Sequence, residues 1–117
     1  MKAINIFYFL LVMLFSQCMH KEKVLVAPTP NCLPDTVRYT AHIAPIMIRS
    51  CNACHGPFNT TGYNTFSFAE LSALAQTGKL VGSVNHMPDY IAMPIRSNLD
   101  TCSIMLITKW VAQGGVE

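Results

Sequence analysis

Apolar residues run from Ala3 to Phe15 with Asn5 as the single interruption and Lys2 in front. The run is too short for a comfortable membrane span, and its position and leading charge are those of an export signal. The pattern then thins. Between Cys18 and Asp35 periodic apolar positions are few and Pro28, Pro30 and Pro34 recur, which predicts an extended tether. From Thr36 the chain changes again. Val37, Tyr39, Ile43, Ile46 and Met47 recur at helical spacing and lead directly into Cys51. A proline inside a helix lacks its donor and clashes with the preceding turn, so the helix is expected to start at Thr40 or Ala41, with Pro45 in its first turns.

From Gly56 to Phe66 the residues Pro57, Asn59, Thr60, Thr61, Gly62 and Asn64 describe a loop. Ser67 followed three residues later by Glu70 forms a capping box. The helix it heads should pass through Leu71 and Leu74 to about Thr77, with Gly78 as a left-handed stop. A second irregular stretch runs from Val84 to Asn98 and contains Met87-Pro88 and Met93-Pro94. A loop of that length without regular structure is expected to cover something. Asp100 can cap a last helix whose Ile104, Ile107, Trp110 and Val111 make one apolar stripe, ended by Gly114-Gly115. The fold class is therefore all-α, in the order helix, loop, helix, long loop, helix, with no strand and no internal repeat.

The 117 residues suffice for one domain. They divide into a signal peptide at 1–17, a proline-containing tether at 18–35 and a folded domain at 36–117. The apolar run ends in Leu14-Phe15-Ser16-Gln17-Cys18, which resembles a bacterial lipoprotein lipobox, although Phe15 stands where a small aliphatic residue is usual and Gln17 where Gly or Ala is usual. Lipidation of Cys18 would place an exported protein at the periplasm or cell surface, anchored to a membrane. A net charge of +2 with scattered Lys and Arg offers no basic patch for nucleic acid. What stands out is 5 cysteines in an exported chain, where thiols are normally oxidised or chemically occupied.

Cys51-Asn52-Ala53-Cys54-His55 is a C-x-x-C-H haem attachment sequence. Two thiols at this spacing can add to the two vinyl groups on one side of a porphyrin, which aims the adjacent histidine at the iron. A thioredoxin-like redox pair would need a β-α-β setting, and a zinc knuckle would need a second pair of nearby ligands; neither is evident. Electron transfer without gas binding requires a sixth ligand, and methionine thioether is the usual partner of such a histidine. Met87 and Met93 both lie in the long loop, each followed by a proline that keeps it extended. His86 is a further candidate and would give a bis-histidine haem. Met47 and Met105, on helices, read as core filler. His42 reads as a surface or core residue, and His20 lies in the tether.

From Val37 onward the chain resembles small monohaem cytochrome c domains of class I, in particular their bacterial lipoprotein forms. The resemblance rests on Tyr39, Ile43-Ala44-Pro45-Ile46, Cys51 to Gly56, Met93-Pro94 and the closing Trp110-Val111-Ala112-Gln113-Gly114-Gly115, in the family's order. It implies a cytochrome c-like fold of three main helices wrapped around one covalent haem c. It also implies Met93 as the axial ligand opposite His55. In that fold Cys32, before the first helix, and Cys102, at the head of the last, lie close enough for a disulfide, worth roughly 2–5 kcal/mol.

Tyr39 and Trp110 are then candidates for the contact between first and last helices. Leu80, Val81, Val84 and Ile91 are expected to wall the haem crevice. Arg96 is a propionate partner or a surface charge. These readings describe an electron carrier rather than an enzyme, serving redox partner proteins at an exposed haem edge. The rivals are a haem enzyme or gas sensor with an open sixth position, and an electron relay fixed within a membrane respiratory complex.

Overall fold

The computed structural model describes residues 31–58 and 61–117, so the signal peptide, Cys18, His20 and most of the tether lie outside the described residues. The chain is helical and packs into a compact globule. A wide turn at Tyr39–Ile43 leads into α1 (Ala44–Ser50), α2 (Asn52–His55), α3 (Phe68–Gln76), α4 (Lys79–Val84) and α5 (Thr101–Ala112), with no strand among the described residues. None of these helices is long and apolar enough to cross a membrane.

The wide turn is the chain's answer to Pro45. Ala44 donates its N–H to the carbonyl of Tyr39, five residues back, so the backbone is locally of π-helical width just where the proline ring would collide with a tighter turn. Pro45 then sits in the first turn of α1, where its missing donor has no cost. At α3 the Ser67 hydroxyl oxygen accepts from the Glu70 N–H at 3.3 Å, and its O–H donates to the Glu70 carboxylate at 2.7 Å. Gly78, at φ 76°, ends that helix as expected. The chain does not then become irregular: it restarts at once as α4, with Leu80 and Val84 buried one turn apart. A glycine at 82 and a length of six residues hide this helix from a reading of periodicity. Asp100 caps α5, accepting from the Ser103 N–H at 2.9 Å and the Ser103 hydroxyl at 2.6 Å.

The core lies where the wide turn crosses α5. Tyr39, Phe68 and Trp110 form a cluster with ring centroids 5.3–6.4 Å apart, in tilted and edge-on arrangements that suit aromatic quadrupoles. Around it Val37, Ile43, Met47, Leu71 and Ile107 are fully buried. Met105, by contrast, is only half-buried. Gly114 and Gly115 both have positive φ, which only glycine adopts cheaply. They turn the chain so that the Val116 carbonyl accepts from the Trp110 indole at 2.8 Å and from the Tyr39 N–H at 2.9 Å. The C-terminus thus ties first and last helices together.

A second tie lies on the tether side of residue 36. Cys32 is joined to Cys102 by a disulfide with Cα atoms 6.0 Å apart. Lys109 donates to the Pro34 carbonyl at 2.6 Å, and the Gln113 amide to that of Asp35 at 3.3 Å. Residues 32–35 are therefore laid along α5.

Candidate haem-binding site

Cys51 links α1 to α2 with a backbone (φ −122°) outside the helical range, and its N–H still donates to Met47 at 2.9 Å. Cys54 and His55 both donate back to the Cys51 carbonyl, at 3.1 and 2.9 Å. The five residues of the motif are thus one tight turn. Gly56 is required behind it, because a Cβ there would lie 2.6 Å from the Asn52 carbonyl oxygen. Thr65 closes the far side: its N–H donates to the His55 carbonyl at 2.9 Å and its hydroxyl to the Asn52 side chain at 2.9 Å.

The imidazole of His55 is held by one nitrogen. Nδ1 lies 3.1 Å from the Tyr63 carbonyl and 2.8 Å from the Thr61 hydroxyl. With the proton on Nδ1 the ring donates to the Tyr63 carbonyl, which can only accept, and Nε2 is the nitrogen left for another partner. No hydrogen bond engages Nε2 among the described residues. This is the arrangement in which an outer hydrogen bond orients a histidine for a metal. Cys51 is half-buried, Cys54 is exposed, and both are free thiols. Burial pushes the Cys51 thiol above its usual pKa, the opposite of what a nucleophilic disulfide-exchange cysteine needs.

Cys51 and His55 line a cavity of about 280 Å³ whose walls are largely apolar: Leu74, Leu80 and Val84 from α3 and α4, and Ile91 with Met93 from the long loop. Of the three candidates for a sixth ligand, only Met93 lines it. Met87 and His86 are exposed beyond the end of α4, with His86 in the left-handed region at φ 52°. Met93 is held by its backbone, its N–H donating to Ser83 at 3.0 Å.

One expected wall position needs correction. Val81 does not line the cavity, because α4 turns Leu80 and Val84, one turn apart, inward. Ile91 does line it but is 73% exposed, so it forms an outer lip. Arg96 is exposed and away from the cavity. The cation that does line it is Lys79, whose ammonium donates to the Tyr63 hydroxyl at 2.8 Å. Leu74 was open to prediction from the stripe of α3. Tyr63, Thr65, Lys79 and Tyr90 were not, since only the closing of two loops brings them here.

Nothing in the described residues supplies the setting of the rival motifs. There is no β-α-β unit, and no three His, Cys, Asp or Glu side chains come together to hold a metal ion. By its chemistry the donor set suits a haem: the Cys51 thiol, an imidazole with no hydrogen bond on Nε2 and the Met93 thioether line one cavity with largely apolar walls, while the second thiol, Cys54, is exposed on the same turn and does not line it. No family model, no curated protein and no solved structure matches the chain.

Proposed function

We propose that this chain is a c-type cytochrome domain that carries single electrons, with one haem c attached through Cys51 and Cys54 and ligated by His55 and Met93. The observation that carries the reading is that Met93, distant in sequence from the attachment turn, lines the same largely apolar cavity as Cys51 and His55, and that no hydrogen bond engages Nε2 of His55 among the described residues. When bound, the haem supplies a one-electron couple. The chain's residues do the rest. Tyr63 and Thr61 fix the imidazole, and Leu74, Leu80 and Val84 keep water from the iron, which lowers the rearrangement that each electron transfer demands. The helical arrangement belongs, on this reading, to the cytochrome c-like fold. The N-terminal segment belongs to export, with Cys18 as the lipid-bearing anchor at the periplasmic face or cell surface. Partners are redox proteins that dock transiently beside the Cys51–His55 turn; with so small a net charge, long-range steering is weak.

The test is the visible spectrum of protein exported from a host that attaches haem. The expected product carries haem that survives denaturation and acid extraction, is six-coordinate and low-spin in both oxidation states, and does not bind carbon monoxide. Met93→Ala should abolish the sulfur-to-iron absorption band of the oxidised form. Protein exported without covalent haem would overturn the proposal, and a high-spin haem that binds carbon monoxide would replace the carrier by a ligand-binding protein.

A further inference from the structure

We infer that Tyr90 is the positioning residue that holds Met93 over the cavity and thereby decides whether the sixth position of the iron is closed or open to outside ligands. This rests on the reading of Met93 as the axial ligand. The starting observation is a glycine where a helix does not want one. Gly82 is buried within α4, a helix of only six residues, and an interior glycine costs a helix about 0.5–1 kcal/mol relative to alanine.

The packing explains it. A Cβ on Gly82 would overlap Cγ, Cδ2 and Cε2 of the Tyr90 ring, and one on Gly78 would stand 3.4 Å from the Tyr90 hydroxyl. Gly78 and Gly82 lie one helical turn apart on the same face, so they form a bare strip of backbone. The Tyr90 ring lies along that strip, closer to the helix than any side chain at 82 would allow. The hydroxyl itself makes no hydrogen bond among the described residues, so the flat ring is what fits.

The backbone of the loop is pinned around this contact. Met87 donates to the Gly82 carbonyl at 2.9 Å, Tyr90 to Met87 at 3.0 Å, and Met93 to Ser83 at 3.0 Å. Tyr90 and Met93 line the same cavity, three residues apart. Ile91 and Ile95 are each more than 70% exposed and Met87 is 45% exposed; Tyr90 is itself 37% exposed, and what singles it out is its ring against the bare backbone of Gly82. A methyl group at 82, or loss of the ring at 90, lets the loop lift, and Met93 lifts with it.

The experiment uses the full-length exported holoprotein and imidazole as the outside ligand, with the sulfur-to-iron band as a second readout. Competition by Met93 lowers the apparent affinity for imidazole by the fraction of time the site is open, so Tyr90→Leu and Gly82→Ala should each raise that affinity by about tenfold or more. Both should weaken the band while covalent haem and far-ultraviolet circular dichroism stay as in the parent. Tyr90→Phe, which keeps the ring, should match the parent. Met93→Ala marks the fully open limit. If Met93→Ala opens the site but Tyr90→Leu leaves imidazole affinity and band at parental values, the inference is wrong and the ligand assignment stands. If Met93→Ala changes neither, the ligand assignment fails and takes the inference with it. Should Gly82→Ala fail to yield holoprotein, Tyr90→Leu alone decides.

Discussion

Gly56 shows how far a single atom can matter at the attachment turn. An added methyl group would meet the Asn52 carbonyl at 2.6 Å, and that carbonyl is backbone, unable to swing aside. Gly56→Ala must therefore loosen the Asn52–His55 turn, at a cost on the order of 1–3 kcal/mol. The proposed consequence is chemical as well as structural, because the same turn presents Cys54 and His55. Exported Gly56→Ala protein should contain less covalent haem per chain than the parent, measured by absorbance against total protein. At this scale the readability of the sequence divides sharply. That Cys51, Cys54 and His55 share one turn was legible because their relation is local. Met93 was singled out by the family resemblance, from its spacing before the last helix, and it does line the cavity. The Tyr63 carbonyl that fixes His55, and the Lys79 ammonium bonded to the Tyr63 hydroxyl, were not legible, since both depend on how the loop after Gly56 folds back.

At the level of elements, local signals worked where a side chain spoke directly to the backbone. The Ser67–Glu70 box, the Gly78 stop and the Asp100 cap are all present because each depends on residues within one turn. Helix α4 was missed because it is held by burial of Leu80 and Val84 and by the ring of Tyr90, none of which is a local preference. Asp100 gives this scale its pH dependence. Hydrogen bonds from the Ser103 hydroxyl and amide, with smaller help from Arg49, hold its carboxyl below the ordinary value of 3.8. A carboxyl depressed in the folded state contributes stability that is complete above its unfolded pKa and is lost as pH falls through the folded one. Asp100→Ala should therefore melt at a lower temperature than the parent at neutral pH, and the gap should narrow below about pH 3.8. Asp100→Asn, which can cap without charge, should lie between the two at neutral pH. Thermal melts of the three proteins across pH 2.5 to 7 would check the order; a gap that does not change with pH would show that the charge is idle.

As a whole the molecule has two halves of unequal self-sufficiency. One is the crossing of the Tyr39 turn with α5, which is apolar, aromatic, tied by the Val116 carbonyl and closed by Cys32–Cys102 across 70 residues of chain. Removing that disulfide with Cys32→Ser and Cys102→Ser should cost roughly 2–5 kcal/mol in chemical denaturation, because a loop of this length regains much entropy when freed. The other half is the shell of α4 and the Met93 loop, whose Leu80 and Val84 both belong to the apolar core and line the cavity. Its large side chains outside the core, Ile91 and Ile95, are spent on the surface. A domain of about 80 residues has little apolar area in reserve, so this half should depend on what fills the cavity. The prediction is made with Cys51→Ala and Cys54→Ala together, a protein that cannot hold haem covalently. Compared with the parent holoprotein by hydrogen exchange, amides of Lys79–Val84 and of Met93 should lose most of their protection. Those of Tyr39 and Thr101–Ala112 should keep most of theirs, as the disulfide and the aromatic cluster remain. Uniform loss across both regions would mean that the domain opens as a single cooperative unit, while uniform retention would mean that the cavity walls stand without a cofactor.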